Sequence, residues 1–148
     1  MNKIYAFIII IPILAIIFLK TISFYEFDTK QRYIKNTVDS VAHKVMITGV
    51  MTSSDKDELM NKLRKLSNFK NDDITLKCGY LKADGTLTSL YPYVLGNLLD
   101  RGEIFSIYVQ SGSESLLSRM EGNSVDENSK LFYKAKASCR VEKSQQED

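Results

Sequence analysis

One helix-compatible stretch, covering residues 4–46, constrains this chain more than any other feature of the sequence. Residues 4–19 contain nothing more polar than Tyr5, and Pro12 falls where a membrane helix tolerates it. The amphipathic pattern that follows carries no helix-stopping residue before Gly49. The sequence therefore predicts one long helix, the first part in lipid and the second part in water.

The apolar run reaches the length of a membrane span only when its aromatic flank is included. Residues 4–19 extend about 24 Å as a helix, against about 30 Å of hydrocarbon. The aromatic-rich segment 22–27 closes this gap, and Lys20 can extend its ammonium group to the interface. We therefore expect a single-pass anchor over residues 1–27 in the cell membrane, with the N-terminus cytoplasmic and the remaining domain extracytoplasmic.

A cleaved signal peptide is the alternative interpretation of the same segment. The nearest site with small residues at the required spacing is Thr21-Ile22-Ser23, which is a poor match to a cleavage signal. The apolar run is also long for a signal peptide. We therefore prefer the uncleaved anchor.

The remaining residues predict a small α+β domain. We assign residues 28–142 to this domain and residues 143–148 to a loose C-terminal tail. A second helix is predicted after the capping residues Thr52-Ser53-Ser54, with Leu59, Leu63 and Leu66 on one face. Three or four mostly antiparallel strands follow.

Alternating apolar residues and turn signals place the strands. The first strand is predicted from Ile74 to Tyr80, and a tight turn at residues 83–86 predicts a returning strand at 87–90. Pro92 interrupts this region because it cannot donate to a sheet ladder. Further strands are predicted at residues 103–110, covered on both faces, and at residues 131–141. The polar segment 111–130 predicts a long loop, with a helical turn at Leu116 and Leu117.

An apolar stripe recurs at helical spacing along the amphipathic part of the first helix. Such a stripe usually packs on the chain's own sheet. The sheet is not expected to reach the part of the helix closest to the bilayer. We therefore predict a helix–helix interface with other pilin-like subunits or apparatus proteins. Its candidate residues are Phe24, Phe27, Ile34 and Val38.

Charge and motif content indicate a protein without catalytic chemistry. Lys and Arg number 20 against 18 Asp and Glu, and the linear pattern shows no basic patch of the kind that nucleic-acid binders carry. The sequence contains no phosphate-binding Gly-rich loop, HExxH or CxxC motif, and its one His, His43, lies on the amphipathic helix. We expect no enzyme activity, cofactor, metal, nucleic acid or small-molecule substrate.

The two cysteines, Cys78 and Cys139, fall on the more apolar faces of predicted strands. If those strands are neighbours, the thiols can form a disulfide outside the cytosol, worth roughly 4 kcal/mol in the chain-entropy model. Two buried free thiols are the alternative.

Several short segments resemble those of a known family. They are FDTKQ at residues 27–31 after the apolar run, the helix ending at Gly49, RGEIF at 101–105 and AKASCRVE at 135–142. Together they resemble small pseudopilin-like proteins of clostridia and other Gram-positive bacteria, a family of unknown function related to TadE-like pilus proteins. Cys139 replaces an expected Gly, and the apolar run lacks the small-residue leader and buried Glu of a type IV prepilin.

The resemblance implies a membrane-anchored component of a surface appendage, secretion or conjugation apparatus. Two other functions stay open from the sequence. One is a single-span anchored extracellular binding or sensor domain that acts through a partner protein. The other is a secreted soluble protein released by cleavage at the anchor.

Overall fold

A computed structural model describes residues 2–82, 89–121 and 130–142 of the chain. The predicted turn at residues 83–86, the first half of the predicted strand 87–90 and the tail 143–148 lie outside these residues. The described elements are helix α1 (Asn2–Thr48), helix α2 (Ser53–Leu66), a 3-10 turn (Asn71–Asp73), strands β1 (Ile74–Gly79), β2 (Tyr91–Pro92) and β3 (Ile104–Glu114), helix α3 (Leu116–Glu121) and strand β4 (Phe132–Arg140). The predicted α+β class is confirmed.

Helix α1 is one uninterrupted helix of 47 residues, as the sequence predicts. It ends where Gly49 adopts a positive φ of 72°, a left-handed conformation that glycine takes without a steric penalty. The Gly49 N–H donates to the Val45 carbonyl at 2.8 Å and closes the last turn. The predicted stop at Gly49 is confirmed.

The four strands form one antiparallel sheet in the order β2-β1-β3-β4. β3 is central and pairs with β1 on one side and with β4 on the other. The predicted first and last strands are confirmed as β1 and β4. β3 runs on to Glu114, so the segment predicted as a loop from residue 111 begins within the sheet and continues into α3.

Two strand predictions need correction. The short strand β2 lies at Tyr91–Pro92, where the sequence predicted an interruption. Pro92 is accepted there because β2 is an edge strand, and an edge position does not require its missing N–H. β3 was also expected to be covered on both faces; α1 covers one face, and the opposite face is covered only in part, since Ser106 is buried there and Gln110 is exposed.

The core lies between α1 and the inner face of the sheet. Ile34, Val38 and Val45 of α1 are at most 1% exposed and belong to one cluster with the β3 side chains Phe105 and Ile107. Small residues on β4, Ala135 and Ala137, join this cluster and let the helix approach that strand closely. α2 adds Leu59, Met60 and Leu63.

Two polar contacts fasten α1 to β4 along the open edge of the sheet. Near the start of β4, the Gln31 side-chain amide donates to the Lys134 carbonyl at 2.5 Å and accepts from the Lys134 N–H at 3.3 Å. Just beyond its end, the Glu142 N–H donates to the Met46 carbonyl at 2.8 Å. α1 and β4 therefore run side by side in the same direction.

We predict that neighbouring residues of α1 differ sharply in their contribution to stability. Ile34→Ala should lower the free energy of unfolding by about 2–5 kcal/mol, because it opens a cavity in the core. Tyr33→Ala, at a position that is 60% exposed, should change it by only about 0.5 kcal/mol. Denaturant unfolding of the full chain in detergent micelles measures both, and equal losses would contradict this packing.

Candidate functional site

The N-terminal part of α1 extends beyond the folded domain. Every side chain from residue 7 to residue 22 is exposed, and most are large and apolar. Within the described residues, α1 is the one helix that is long and apolar enough to cross a membrane. This follows from length and composition, which a signal sequence near the N-terminus shares. The described residues leave this apolar surface exposed.

The structure divides the four residues that were predicted to contact another helix. Ile34 and Val38 are completely buried in the chain's own core. Phe27 is half-buried, and its ring stacks on Tyr133 with the ring centroids 5.2 Å apart. Only Phe24 is fully available, at 63% exposure. The prediction is wrong for Ile34 and Val38, and Phe27 already packs on Tyr133. The reason is that β4 begins closer to the N-terminus of α1 than the sequence suggested.

A different surface of α1 is free, on the side opposite the sheet. At 100° per residue, Tyr25, Arg32 and Asn36 lie about 160–200° around the helix from Ile34. We call this surface the outer α1 face. It contains a shallow groove of about 330 Å³. The groove is lined by Tyr25, Thr29, Arg32, Tyr33 and Asn36.

Two ion pairs lie where α1 leaves the apolar segment. Glu26 and Lys30 are joined at 2.6 Å, and Asp28 pairs with Arg32 one turn further along. Each acid precedes its base by four residues, the favourable order on a helix. The hydrogen bond to Glu26 raises the pKa of Lys30, and the hydrogen bond to Asp28 raises the pKa of Arg32. These pairs support the helix at the transition from an apolar to a polar surface.

A second groove, of about 440 Å³, separates α1 from α2. It shares Tyr33 and Asn36 with the groove of the outer α1 face, so the two are continuous. At its far end, Lys44 Nζ of α1 lies 2.5 Å from Asp55 Oδ1 of α2. This ion pair fixes the start of α2 beside α1.

Asp55 performs two further tasks at the start of α2. Its carboxylate accepts hydrogen bonds from the Thr52 N–H at 2.9 Å and the Thr52 hydroxyl at 2.7 Å, while the Asp55 N–H donates back to Thr52 Oγ1. This reciprocal arrangement is a capping box. The hydrogen bond from Lys44 lowers the pKa of Asp55 to about 2, with Thr52 contributing and burial opposing.

The two cysteines cannot form the predicted disulfide. β3 lies between their strands, and Phe105 pairs with Cys78 on one side and with Cys139 on the other. Two strand spacings separate their backbones by about 10 Å, whereas a disulfide requires Cα atoms within about 7 Å. Both thiols are free. The alternative of two free thiols applies, with Cys78 buried and Cys139 half-buried.

Sequence reasoning missed a buried carboxylate at the β2 edge. Glu103 is only 4% exposed and accepts hydrogen bonds from the Asp100 N–H at 2.6 Å and the Tyr91 hydroxyl at 3.3 Å. A hydrogen bond with Cys78 and partial burial raise the pKa of Tyr91. These contacts fasten the short edge strand to the turn before β3. The sequence offered one signal, an acidic residue directly after Gly102.

Basic residues gather on the face of the sheet that points away from α1. They come from alternate positions of β1 and β4, and each is exposed. They are Lys77, Lys134, Lys136 and Arg140. Lys134, Lys136 and Arg140 are close together in the sequence on β4, and strand pairing through β3 brings the distant Lys77 of β1 to the same face.

No group of three or more His, Cys, Asp or Glu side chains suited to a metal ion occurs in the part of the chain that the structure describes. Comparison of the chain with protein families, with curated proteins and with solved structures found no match in any of the three.

We predict that Asp55 makes stability depend on pH. Because the folded state lowers the pKa of Asp55 from 3.8 to about 2, its carboxylate stabilises the fold above about pH 4. Wild type should exceed Asp55→Asn by about 2 kcal/mol in free energy of unfolding at pH 7, and this excess should disappear as the pH falls through 2. Asp57→Asn, at an exposed position of the same helix, should cost no more than about 0.5 kcal/mol. A pH-independent excess would contradict the role of the Lys44 contact.

We also predict that both thiols stay reduced and protected. Unfolded protein without reductant should incorporate two equivalents of a thiol reagent, because neither thiol is bridged. Native protein at pH 7 should react far more slowly, since burial raises the pKa of Cys78 and raises that of Cys139 to about 11. Cys139 should react first, because it is half-buried whereas Cys78 is buried and less accessible to the reagent. Mass spectrometry reads both positions, and an unfolded sample that does not react would indicate a disulfide.

Proposed function

We propose that this chain is a non-enzymatic, membrane-anchored structural subunit of a surface appendage, secretion or conjugation apparatus, similar to a pseudopilin or minor pilin. The observation that carries the proposal is the exposed apolar half of α1, continuous with the helix that forms the core of the domain. The sequence resemblance to small pseudopilin-like proteins supports the same function.

A continuous helix is suited to assembly because, without a hinge, it holds the domain in a fixed position relative to the apolar segment. Glycine is absent from α1, and the one proline, Pro12, lies deep in the apolar half. The Gln31 and Met46 contacts hold the domain along the other half. Packing of the apolar halves of several copies would therefore fix the spacing of their domains.

The outer α1 face is the surface that we assign to neighbouring subunits. Within lipid, helices associate through close van der Waals packing, and above the headgroups exclusion of water adds to it. Tyr25 and Tyr33 are 71% and 60% exposed on or beside this face. Large exposed aromatic side chains are typical of interface anchors. Phe24 adds a third aromatic ring next to Tyr25.

The proposed topology is a single span in the cell membrane with the N-terminus cytoplasmic and the domain outside. Residues 4–27 are the membrane segment, since the ion pairs at Glu26 and Asp28 mark its outer end. The lipid bilayer and related subunits are the proposed partners.

A second candidate function is an anchored binding or sensor domain that acts through a partner protein. The groove between α1 and α2 favours it, because about 440 Å³ of open space is lined by both charged and apolar side chains. In this case the outer α1 face would contact the partner protein, and not another subunit of an assembly.

Site-specific photo-crosslinking in membranes tests the assembly proposal. A photoreactive residue at Tyr25 or Tyr33 should yield crosslinked species that contain a second helix of this protein or of another subunit. The matched control is Val94, which is 63% exposed and lies two residues before Gly96, whose N–H donates to the carbonyl of Met51 beyond the end of α1. Neither substitution site is in the core, so folding is preserved.

The outcomes separate the two candidates. Crosslinks from Tyr25 and Tyr33 to anchored subunits, without crosslinks from Val94, would support assembly. Monomer alone at all three positions, in cells that make the apparatus, would contradict it. Crosslinks only to an unrelated partner would favour the binding or sensor domain.

A further inference from the structure

Helix α3 lies against α1 unexpectedly far towards the N-terminus. The Ser23 hydroxyl contacts the Met120 sulfur at 2.9 Å, and Ser23 is only 4% exposed. Side chains 7–22, Phe24 and Tyr25 are all exposed. α3 therefore covers one point of α1 within the segment that we assign to the membrane.

The height of this contact follows from helix geometry. A helix rises 1.5 Å per residue, so about 20 residues cross the roughly 30 Å of hydrocarbon. Counted from residue 4, where the apolar run begins, this distance ends at Ser23. The contact between Ser23 and Met120 thus lies at the boundary between hydrocarbon and headgroups.

The surface of α3 at that height is apolar. Leu116 is 50% exposed and Met120, four residues further along the same side of the helix, is 37% exposed, while the adjacent Leu117 is buried. Leu131 is 36% exposed, and its carbonyl accepts from the Ser115 N–H at 2.8 Å. We call these three partly exposed apolar side chains, Leu116 and Met120 of α3 and Leu131 hydrogen-bonded beside it, the α3 patch.

Basic side chains flank the α3 patch. Arg119 of α3 and Lys130, directly before Leu131, are both exposed. Glu114, at the end of β3, accepts a hydrogen bond from the Ser118 hydroxyl at 2.8 Å. An apolar surface with cations at its border is typical of segments that lie in the membrane interface.

We propose that the α3 patch is a second membrane contact, inserted into the headgroup region of the leaflet from which α1 emerges. The occupant is the lipid surface itself, because the patch is continuous with the membrane segment of α1. The proposal rests on the anchor function of α1. The apolar side chains of the α3 patch insert into the headgroup region, while Arg119 and Lys130 bind lipid phosphates.

This contact has a consequence for assembly. A single helix leaves the domain free to rotate about the axis of α1, whereas a second contact to one side fixes that rotation. α3 packs on the same side of α1 as the sheet, since Ser23 and Phe27 are one turn apart. The outer α1 face then points along the membrane, where a neighbouring subunit can reach it.

Tryptophan fluorescence in vesicles tests the proposal directly. The chain contains no Trp, so one introduced Trp reports from its own position. Full-length Leu116→Trp, Phe18→Trp and Val94→Trp variants are reconstituted into phosphatidylcholine–phosphatidylglycerol vesicles, with and without lipids brominated near the headgroup end of the acyl chain. All three positions are at least 50% exposed, so the substitutions spare the core. A Leu131→Trp variant provides a second position on the patch.

Leu116→Trp and Leu131→Trp should lose roughly half of their emission to the brominated lipid, because the apolar side of an interfacial helix lies about 5–10 Å into the headgroup–acyl boundary. Phe18→Trp should also be quenched, as part of the anchor. Val94→Trp should not be quenched, because the segment that contains Val94 is hydrogen-bonded to Met51, just after the end of α1 at Thr48. Thr48 lies about 38 Å along the helix from Ser23.

The controls distinguish the two proposals. Quenching of Phe18→Trp together with patch variants that behave like Val94→Trp would overturn the α3 contact and leave the anchor intact. Absence of quenching at Phe18→Trp would overturn the anchor, and the α3 contact with it. Replacing phosphatidylglycerol by phosphatidylcholine should weaken quenching of the patch variants alone, and an unchanged signal would contradict the role of Arg119 and Lys130.

Discussion

The packing of one stripe of α1 on β3 and β4 is the interaction on which the other features of this protein depend. Ile34 and Val38 are completely buried there, and each fully buried apolar side chain contributes about 1.5–3 kcal/mol. Ala135 and Ala137 bring the strand close enough for Gln31 to reach the backbone at the start of β4. The domain is therefore fixed along the same helix that carries the apolar segment, without a flexible linker between them.

Polar contacts then position the remaining elements around this helix. The Lys44–Asp55 pair and the capping box orient α2, and they enclose the groove beside the outer α1 face. At the opposite edge of the sheet, Glu103 fastens the short strand β2. Every one of these buried or half-buried carboxylates has a named donor, which removes most of the cost of its burial.

The proposed functions use the surfaces that this arrangement leaves open. α1 has two sides along the folded domain: one is covered by the sheet and α3, and the other carries Tyr25 and Tyr33. A contact between the α3 patch and lipid would orient the first side, and subunit contacts would use the second. In this proposal, assembly and membrane orientation would both follow from the difference between these two sides of α1.

The sequence by itself determined the local elements. Residues 4–46 predicted a continuous helix, Gly49 predicted its end, and alternating residues predicted β1 and β4, because helix and strand periodicities are properties of neighbouring residues. Tertiary structure decided which side chains are exposed and which residues are close enough to contact each other. Ile34 was predicted to lie in an interface and is core, since strand pairing brings β4 down to Phe27. Cys78 and Cys139 were predicted as potential partners and are separated, since β3 enters the sheet between their strands. Lys77 joins Lys136 on a basic face that the linear pattern did not show. Each of these outcomes depends on strand order, and strand order is set by contacts between distant residues, which periodicity does not encode.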